Sequence, residues 1–181
     1  MAYLAIAYPQ LAPVDFEWIQ SYRARYDRRY YSVVNPHFTL VFGGTGAAVQ
    51  SLSETSFAEE IEMQLADAAA IPFELAVATI NRDLSGEYYH EFLVPELGYA
   101  KIVRLHDKLY SGKLKSRLRL DIDYIPHIGI GNDNDPQNCK ARIDELNLTA
   151  ISVRGVINTV DVIEYSNGEV RTIRKIMLPM A

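Results

Sequence analysis

The chain has 181 residues, of which 49% are hydrophobic and 23% charged, a balance typical of a globular domain that buries a substantial core. The net charge of −5 argues against a protein that coats nucleic acid through a broad basic face, although it is compatible with a local pocket for a small anion. The apolar runs are too short to span a bilayer, and the single cysteine, Cys139, excludes an internal disulfide and favours a reducing cytoplasm.

A short buried strand is predicted over residues 3–8. We do not interpret this segment as a signal peptide, because it lacks a basic leader. From Asp15 onward the apolar residues recur at steps of three and four, which is typical of a helix; they are Phe16, Ile19, Tyr22, Tyr26 and Tyr30. The pair Asn35-Pro36 ends this pattern, and the β-rich segment HFTLVFGG follows. The glycines within 43–46 lack the Lys-Ser/Thr ending of a P-loop, so we interpret them as the turn after that strand.

A second helix is predicted after Ser56-Phe57-Ala58-Glu59, which has the form of a capping box. Its apolar residues share one helix face: Phe57, Ile61 and Leu65. Alternating residues then predict a strand over 73–79, a turn at Ser85-Gly86 and a returning strand over 88–94. The first half of the chain therefore contains a helix, a Pro-His strand, a second helix and a hairpin.

The second half repeats this order of elements. A helix is predicted by the spacing of Ile102, Leu105 and Leu109, and YIPHIGIGN is a short strand with a proline before its histidine. The pair Asp135-Pro136 is a favourable N-cap and first helical residue, and the helix continues through Cys139, Ile143 and Leu146. The last two strands, over 151–165 and 170–178, flank the hairpin signal Asn167-Gly168.

The repeated order is most simply explained by a diverged internal duplication. We therefore expect an α+β fold formed by one bilobal domain over 1–181, with lobe one at about 1–87 and lobe two at about 88–181. Each lobe would be a mainly antiparallel sheet with two helices, and the two pseudo-symmetric lobes would surround a central cleft.

Strand periodicity places one histidine on the open face of each Pro-His strand, because side chains alternate between the two faces. The residues predicted to face the core are Phe38, Leu40, Phe42, Ile128 and Ile130. Those predicted to face the cleft are His37, Thr39, Val41, His127 and Gly129. The other two histidines, His90 and His106, lack this setting and are interpreted as ordinary.

Two histidines across a cleft suit phosphodiester chemistry. Imidazole titrates near neutral pH, so one neutral ring can accept a proton from water while one charged ring donates a proton to the departing oxygen. Hydroxyls, backbone N–H groups or basic side chains can hold the phosphoryl oxygens. The sequence has no Cys pair, no closely spaced His pair and no His-Glu-x-x-His, so we expect neither a metal site nor a cofactor.

These residues resemble the 2H phosphoesterases, a superfamily that includes 2′-5′ RNA ligase-like proteins and cyclic nucleotide phosphodiesterases and carries two copies of His-x-Thr/Ser on strands of two similar lobes. His37-Phe38-Thr39 matches the first copy in full, whereas His127-Ile128-Gly129 lacks the hydroxyl of the second. The resemblance implies that His37 protonates a leaving 2′ oxygen, that His127 activates water and that Thr39 holds a phosphoryl oxygen.

Gly129 is the departure from the family pattern, because glycine offers the phosphate only a backbone N–H. One lost hydrogen bond to a charged group costs about 1.5–3 kcal/mol, which corresponds to a tenfold to hundredfold loss. Candidates for compensation are Tyr124, Asn132, Lys113, Lys115 and Arg117. The three basic residues are equally compatible with a solvated loop.

The leading hypothesis is a metal-independent phosphoesterase that acts on 2′,3′-cyclic or 2′-5′-linked phosphates of nucleotides or RNA ends, with RNA processing as its context. The alternative is a non-catalytic binder of nucleotides or RNA ends that has kept the cleft, and a third possibility is a plain interaction domain. The sequence leaves open the base, the substrate length, the choice between hydrolysis and ligation, and the oligomeric state.

Overall fold

The computed structural model describes residues 1–42, 52–83 and 87–180, and within them the chain forms two antiparallel sheets and four α-helices. The strands are β1 Ala2–Ala7, β2 Gln10–Leu11, β3 Phe38–Phe42, β4 Ile71–Arg82, β5 Tyr89–Leu97, β6 Ile128–Asp133, β7 Val153–Ile157, β8 Thr159–Ser166 and β9 Glu169–Met177. The helices are α1 Pro13–Tyr26, α2 Glu54–Leu65, α3 Tyr99–Leu109 and α4 Pro136–Asn147, with a 3₁₀ turn at Lys115–Arg117. The α+β prediction is confirmed, whereas the turns predicted within 43–46 and at 85–86 lie outside the described residues.

Both Pro-His strands lie at sheet edges. Sheet A has the order β3-β1-β8-β9, and sheet B has the order β2-β7-β4-β5-β6. In sheet A the motif strand β3 pairs with β1, the first strand of its own half, and β1 pairs with β8 of the other half. In sheet B the motif strand β6 pairs with β5, the first strand of its own half, and β5 pairs with β4 of the other half. The sheets therefore combine both halves of the chain and do not follow a boundary between residues 87 and 88.

Local signals for turns and caps are confirmed in the second half. Asn167 and Gly168 have φ values of 53° and 80°, the left-handed backbone that a two-residue hairpin turn requires. The Asp135 carboxylate accepts a hydrogen bond from the backbone N–H of Gln137 at 2.8 Å, and Pro136 occupies the first helical position. The sequence therefore specifies the start of α4 and the β8–β9 hairpin locally.

Three element boundaries differ from the predictions. The N-cap of α2 is Ser53, whose hydroxyl accepts from the N–H of Ser56, so the helix begins earlier than the capping box indicates. Helix α1 ends at Tyr26, and the backbone of Tyr30 turns back so that its carbonyl accepts from the buried guanidinium of Arg23. The apolar run over 151–165 forms two strands in different sheets, because apolar residues alone do not mark where a strand leaves one sheet for another.

The two motif strands share a β-bulge at the same position. In β3, Thr39 and Val41 pair with consecutive residues of β1, which leaves Leu40 without a partner. In β6, Gly129 and Gly131 pair with consecutive residues of β5, so Ile130 is the extra residue. Each bulge lies three residues after a histidine and resets the alternation of side chains, which is why Val41 is buried although strict alternation assigns it to the cleft. The same shift leaves Phe42, predicted to be in the core, 51% exposed.

One apolar cluster joins both sheets with the helices between them, so the two lobes share a core. Phe38 of β3 meets Phe73 of β4 edge to face at a ring-centroid distance of 5.0 Å. A smaller cluster on the open face of sheet A contains Ile6 and is covered by Tyr8 and Val34. Among the described residues, the helices are too short and too polar to cross a membrane.

Candidate active site

The first motif histidine is anchored by the turn that precedes β3. His37 is half-buried, and its Nδ1 lies 2.8 Å from the carbonyl oxygen of Asn35, two residues earlier in the chain. The ring of Tyr8 lies edge-on to the imidazole at 6.2 Å. The buried residue between the two partners, Pro36, restricts the backbone at this point. The imidazole is thus held by its own chain segment at the edge of sheet A.

The second motif histidine is anchored in the same way at the edge of sheet B. The Nδ1 of His127 lies 2.6 Å from the carbonyl oxygen of Ile125, again two residues earlier and across a proline, Pro126. Its ring stacks on Phe92 of β5 at a centroid distance of 3.5 Å and an interplanar angle of 18°. This stacking fixes the ring plane in addition to the hydrogen bond.

These anchors determine the tautomer of both neutral rings. A carbonyl oxygen can only accept a hydrogen bond, so Nδ1 carries the proton in His37 and in His127. The Nε2 atom of each neutral ring then has a free lone pair. Both imidazoles can therefore accept a proton at Nε2, and either one can return it from the same atom after protonation.

Both imidazoles are neutral near pH 7. Burial, and to a smaller degree the charges of protonated His37 and His90, lowers the pKa of His127 to about 4 against the opposing hydrogen bond to Ile125. Burial also lowers the pKa of His37, with a further contribution from the charge of Arg23. A positive charge on His37 lowers the pKa of His127, so protonation of both rings at once is disfavoured.

The two predicted phosphate-binding positions differ in chemistry. Thr39 is half-buried on β3 and lies two residues after His37, on the same face of the strand. At Gly129 an added Cβ would meet no atom within 4 Å, so the missing side chain leaves open space and not a filled pocket. A Cβ therefore fits at this position without displacing a neighbour.

Of the residues predicted to compensate for Gly129, Tyr124 braces the first motif strand. Its hydroxyl donates to the backbone carbonyl of Thr39 at 3.1 Å, and its ring stacks on His106 at 3.7 Å. Burial raises the pKa of the Tyr124 hydroxyl, so it remains a donor. This contact joins the segment before the second motif directly to the first.

Asn132 is buried and engaged by the end of α1. Its amide donates to the carboxylate of Asp27 at 2.6 Å, and Asp27 forms a buried ion pair with Arg23 at 2.9 Å. The corresponding contact in the other half is made by Tyr110 at the end of α3. Its hydroxyl accepts from the N–H of Phe42 at 3.0 Å and donates to the carbonyl of the same residue at 3.2 Å. The end of α1 therefore holds Asn132, the fifth residue after His127. The end of α3 holds Phe42, the fifth residue after His37.

The three predicted basic contacts lie on the loop between α3 and the second motif. Lys113 and Lys115 have exposed side chains, and the backbone N–H of Lys113 donates to the buried carboxylate of Glu60 at 2.9 Å. Arg117 is half-buried, and its charge opposes the rise that burial causes in the pKa of Tyr110. The loop is thus attached to α2 and α3, and the two lysine ammonium groups extend from it into solvent.

Sequence reasoning missed the aromatic surroundings of the second histidine. His90, interpreted as ordinary, lies parallel to Phe92 at 5.9 Å and contributes to the low pKa of His127. The signal was the alternation of His90 and Phe92 in a strand, but their pairing with β6 depends on contacts distant in sequence. His106, also interpreted as ordinary, is buried and supports Tyr124.

Residues 1–42, 52–83 and 87–180 contain no cluster of three His, Cys, Asp or Glu side chains placed to hold a metal ion. Cys139 is buried, and burial raises the pKa of its thiol to about 12, so this group stays protonated.

The family model of the 2′-5′ RNA ligase superfamily matches residues 10–169. The fold is similar to the apo crystal structure of E. coli LigT, with a TM-score of 0.55, 16% identity and coverage of 99% of this chain and 98% of that one. It is also similar to E. coli LigT in complex with 3′-AMP, with a TM-score of 0.57, 14% identity and coverage of 98% and 97%. Kluyveromyces marxianus Usb1 gives a TM-score of 0.54 at 11% identity, with coverage of 95% and 97%. No curated protein matches the chain in sequence.

Proposed function

The chain belongs to the 2′-5′ RNA ligase superfamily, and from this premise we propose that it is a phosphoesterase that opens or forms a phosphodiester on a nucleotide or RNA end. In this proposal the substrate is a 2′,3′-cyclic or 2′-5′-linked phosphate. His37 and His127 act as the general acid and general base, and no metal is required for either proton transfer.

The observation that carries this proposal is the matched anchoring of the two imidazoles. Each donates Nδ1–H to the carbonyl two residues earlier, at 2.8 Å and 2.6 Å, and each keeps Nε2 available. Structural histidines on unrelated strands have no reason to share this arrangement. Two rings that are anchored alike through Nδ1, and that keep the same nitrogen for proton transfer, are suited to act on one phosphorus atom.

We assign the proton roles as the family resemblance implies, with His127 activating water and His37 protonating the leaving oxygen. Binding of an anionic phosphodiester raises the pKa of both imidazoles. The pKa of His127 is about 4 without substrate, so this ring is neutral near pH 7 and able to accept a proton from water.

For a cyclic phosphate, water attacks phosphorus while Nε2 of His127 accepts its proton. The bond from phosphorus to the 3′ oxygen then breaks, and Nε2–H of His37 protonates that oxygen, which leaves a 2′-phosphate. The departing atom in this reaction is the 3′ oxygen, and not the 2′ oxygen expected from the family resemblance. Thr39 donates its hydroxyl proton to a phosphoryl oxygen as charge develops there.

Named complexes of a similar fold support this substrate class. E. coli LigT has been crystallised with ATP, NADP⁺, 3′-AMP and phosphate. Transferred to this chain, these ligands favour a nucleotide that carries phosphate near its ribose. A cytoplasmic location and a role in RNA processing also belong to the proposal, supported by a buried reduced thiol at Cys139 and by the fold shared with Usb1.

The direct test is turnover of nucleoside 2′,3′-cyclic phosphates by the purified chain, followed by chromatography of the 2′- and 3′-phosphate products. We expect a 2′-phosphate, activity that survives EDTA and a bell-shaped dependence of kcat/KM on pH. Turnover that requires an added divalent cation would contradict the two-imidazole mechanism.

The alternative function is binding of a nucleotide or RNA end without turnover. The open space at Gly129 favours it, because the phosphate there lacks a side-chain donor. A thermal shift with a 2′-phosphonucleotide, combined with no turnover of any cyclic or 2′-5′-linked substrate, would identify this binder. No shift across a broad nucleotide panel would instead favour a plain interaction domain.

A further inference from the structure

A row of rings extends away from His127 along the open face of sheet B. Phe92 stacks on His127, and His90 lies parallel to Phe92 at 5.9 Å with an interplanar angle of 3°. Tyr30 lies 6.4 Å from His90, and the guanidinium of Arg29 lies over the ring of Tyr88 at 4.0 Å. We call these residues the aromatic track: Phe92, His90, Tyr30, Tyr88 and Arg29.

The strand geometry explains why the track is continuous. Tyr88, His90 and Phe92 are alternate residues of one extended segment, so they share a face. The hydrogen bond from the N–H of Asp83 to the carbonyl of Tyr88 at 2.9 Å continues the hairpin one residue beyond β5. At about 3.3 Å per residue, the three side chains cover about 13 Å, comparable to a few stacked nucleotides.

The loop after α1 is held rigidly against the track. The carbonyl of Tyr30 accepts from buried Arg23 at 3.1 Å, and its N–H donates to Asp27 at 3.0 Å. Arg29 directly precedes Tyr30 in the chain, and its guanidinium lies over the rings of both Tyr30 and Tyr88. A fixed platform loses little conformational entropy when a ligand stacks on it.

The track has an exposed guanidinium at its outer end. The four ring residues are half-buried and Arg29 is exposed, so each ring keeps part of its surface open. His127 covers one face of Phe92, and the guanidinium of Arg29 covers one face of Tyr88. The carboxylate of Asp83 lies 3.5 Å from His90, and its negative charge also acts on the guanidinium of Arg29. The proton transfers assigned to His37 and His127 do not use Tyr88 or Arg29, so the proposed chemistry does not account for these outer residues.

We propose that the aromatic track binds the nucleotides on the 5′ side of the reacting phosphate, so that the preferred substrate is a single-stranded oligonucleotide end and not a mononucleotide. This inference rests on the proposed function and names its substrate class. Unpaired bases stack on the rings, and Arg29 contacts the connecting phosphate. Paired bases cannot present their faces to rings in this way, so a duplex end is excluded from the track.

The test compares kcat/KM for a trinucleotide that ends in a 2′,3′-cyclic phosphate with kcat/KM for the matching mononucleoside 2′,3′-cyclic phosphate. We expect the trinucleotide to be preferred about tenfold to hundredfold, since each stacked base contributes that order of affinity. In Tyr88→Ala and in Arg29→Ala the ratio of the two constants should fall severalfold, whereas Tyr88→Phe, which keeps the ring, should retain it. Arg154→Ala is the surface control, because the Arg154 side chain is exposed on β7 and paired with Glu74.

A ratio near one in the wild type, or an unchanged ratio in Tyr88→Ala, would overturn the inference. If neither substrate turns over, the proposed function fails, and the track is then judged by affinity alone. A fluorescent trinucleotide with a terminal 2′-phosphate should bind more tightly than the mononucleotide and lose this advantage in Tyr88→Ala. Equal affinities would refute the track independently of catalysis.

Discussion

The two halves of the site have the same backbone and different side chains. Both histidines lie at sheet edges, follow a proline, donate Nδ1–H to the carbonyl two residues earlier and precede a bulge by three residues. Around them the chemistry diverges. Thr39 of the first half corresponds to Gly129 of the second half. Tyr8 lies edge-on to His37, whereas Phe92 stacks on His127. The backbone geometry that orients the imidazole is thus the same in both halves, whereas the neighbouring side chains differ.

The largest effect is expected from removing Nε2 in either half. In His37→Asn and His127→Asn the side-chain amide can still donate to the Asn35 or Ile125 carbonyl, so the local anchor is kept while proton transfer is lost. We expect each variant to lose about 10²- to 10⁴-fold in kcat on a nucleoside 2′,3′-cyclic phosphate. Since the rings act as one unit, the double variant should lose little more than either single variant.

Thermal unfolding of the His→Asn variants is the control for this experiment, and an unchanged midpoint shows that the fold is intact. A variant that retains more than about a tenth of wild-type turnover would remove its histidine from the mechanism. Unequal losses would show which half dominates the chemistry.

The second effect comes from making the two halves alike. Gly129→Thr places a hydroxyl in open space, where it can donate to the phosphate as Thr39 does. We expect kcat/KM to rise about tenfold, and up to a hundredfold, because a hydrogen bond to a charged group contributes about 1.5–3 kcal/mol. Gly129→Val has the same shape without the hydroxyl and is the matched control. Equal activities of the two variants would mean that the phosphate does not approach this position.

The fold was largely predictable because its signals are local. The alternation in HFTLVF and IPHIGIGN, the cap at Asp135 and the Asn167-Gly168 turn each act within a few residues. The exchange of strands between the sheets was not predictable, because pairing of β8 with β1 depends on contacts about 160 residues apart in sequence. The same limit applies to Asn132, whose partner Asp27 is 105 residues away.

The third effect concerns the helix ends that hold each motif strand. Asn132→Ala removes a buried hydrogen bond to the Asp27 carboxylate, and we expect the free energy of unfolding to fall by about 1.5–3 kcal/mol. Tyr110→Phe removes two neutral hydrogen bonds to Phe42, each worth about 0.5–1.5 kcal/mol. Urea unfolding measures both variants. A larger loss for Tyr110→Phe would mean that the two helix ends do not hold the strands to comparable degrees.

The smallest expected effect is a shift of about one pH unit in the pH profile of kcat/KM. This shift distinguishes the two imidazoles by the aromatic residue that each one contacts. Burial under Phe92 helps to hold the pKa of His127 at about 4, below the ordinary imidazole value. Because the base works only when deprotonated, the acidic limb of the kcat/KM profile should lie near that value. Phe92→Leu exposes the imidazole to water, which raises its pKa, so the limb should move upward by about one unit.

Tyr8→Leu alters the neighbour of His37 instead and should leave this limb in place, since His127 is the base. If Tyr8→Leu shifts the acidic limb and Phe92→Leu does not, the roles of acid and base are reversed between the two halves.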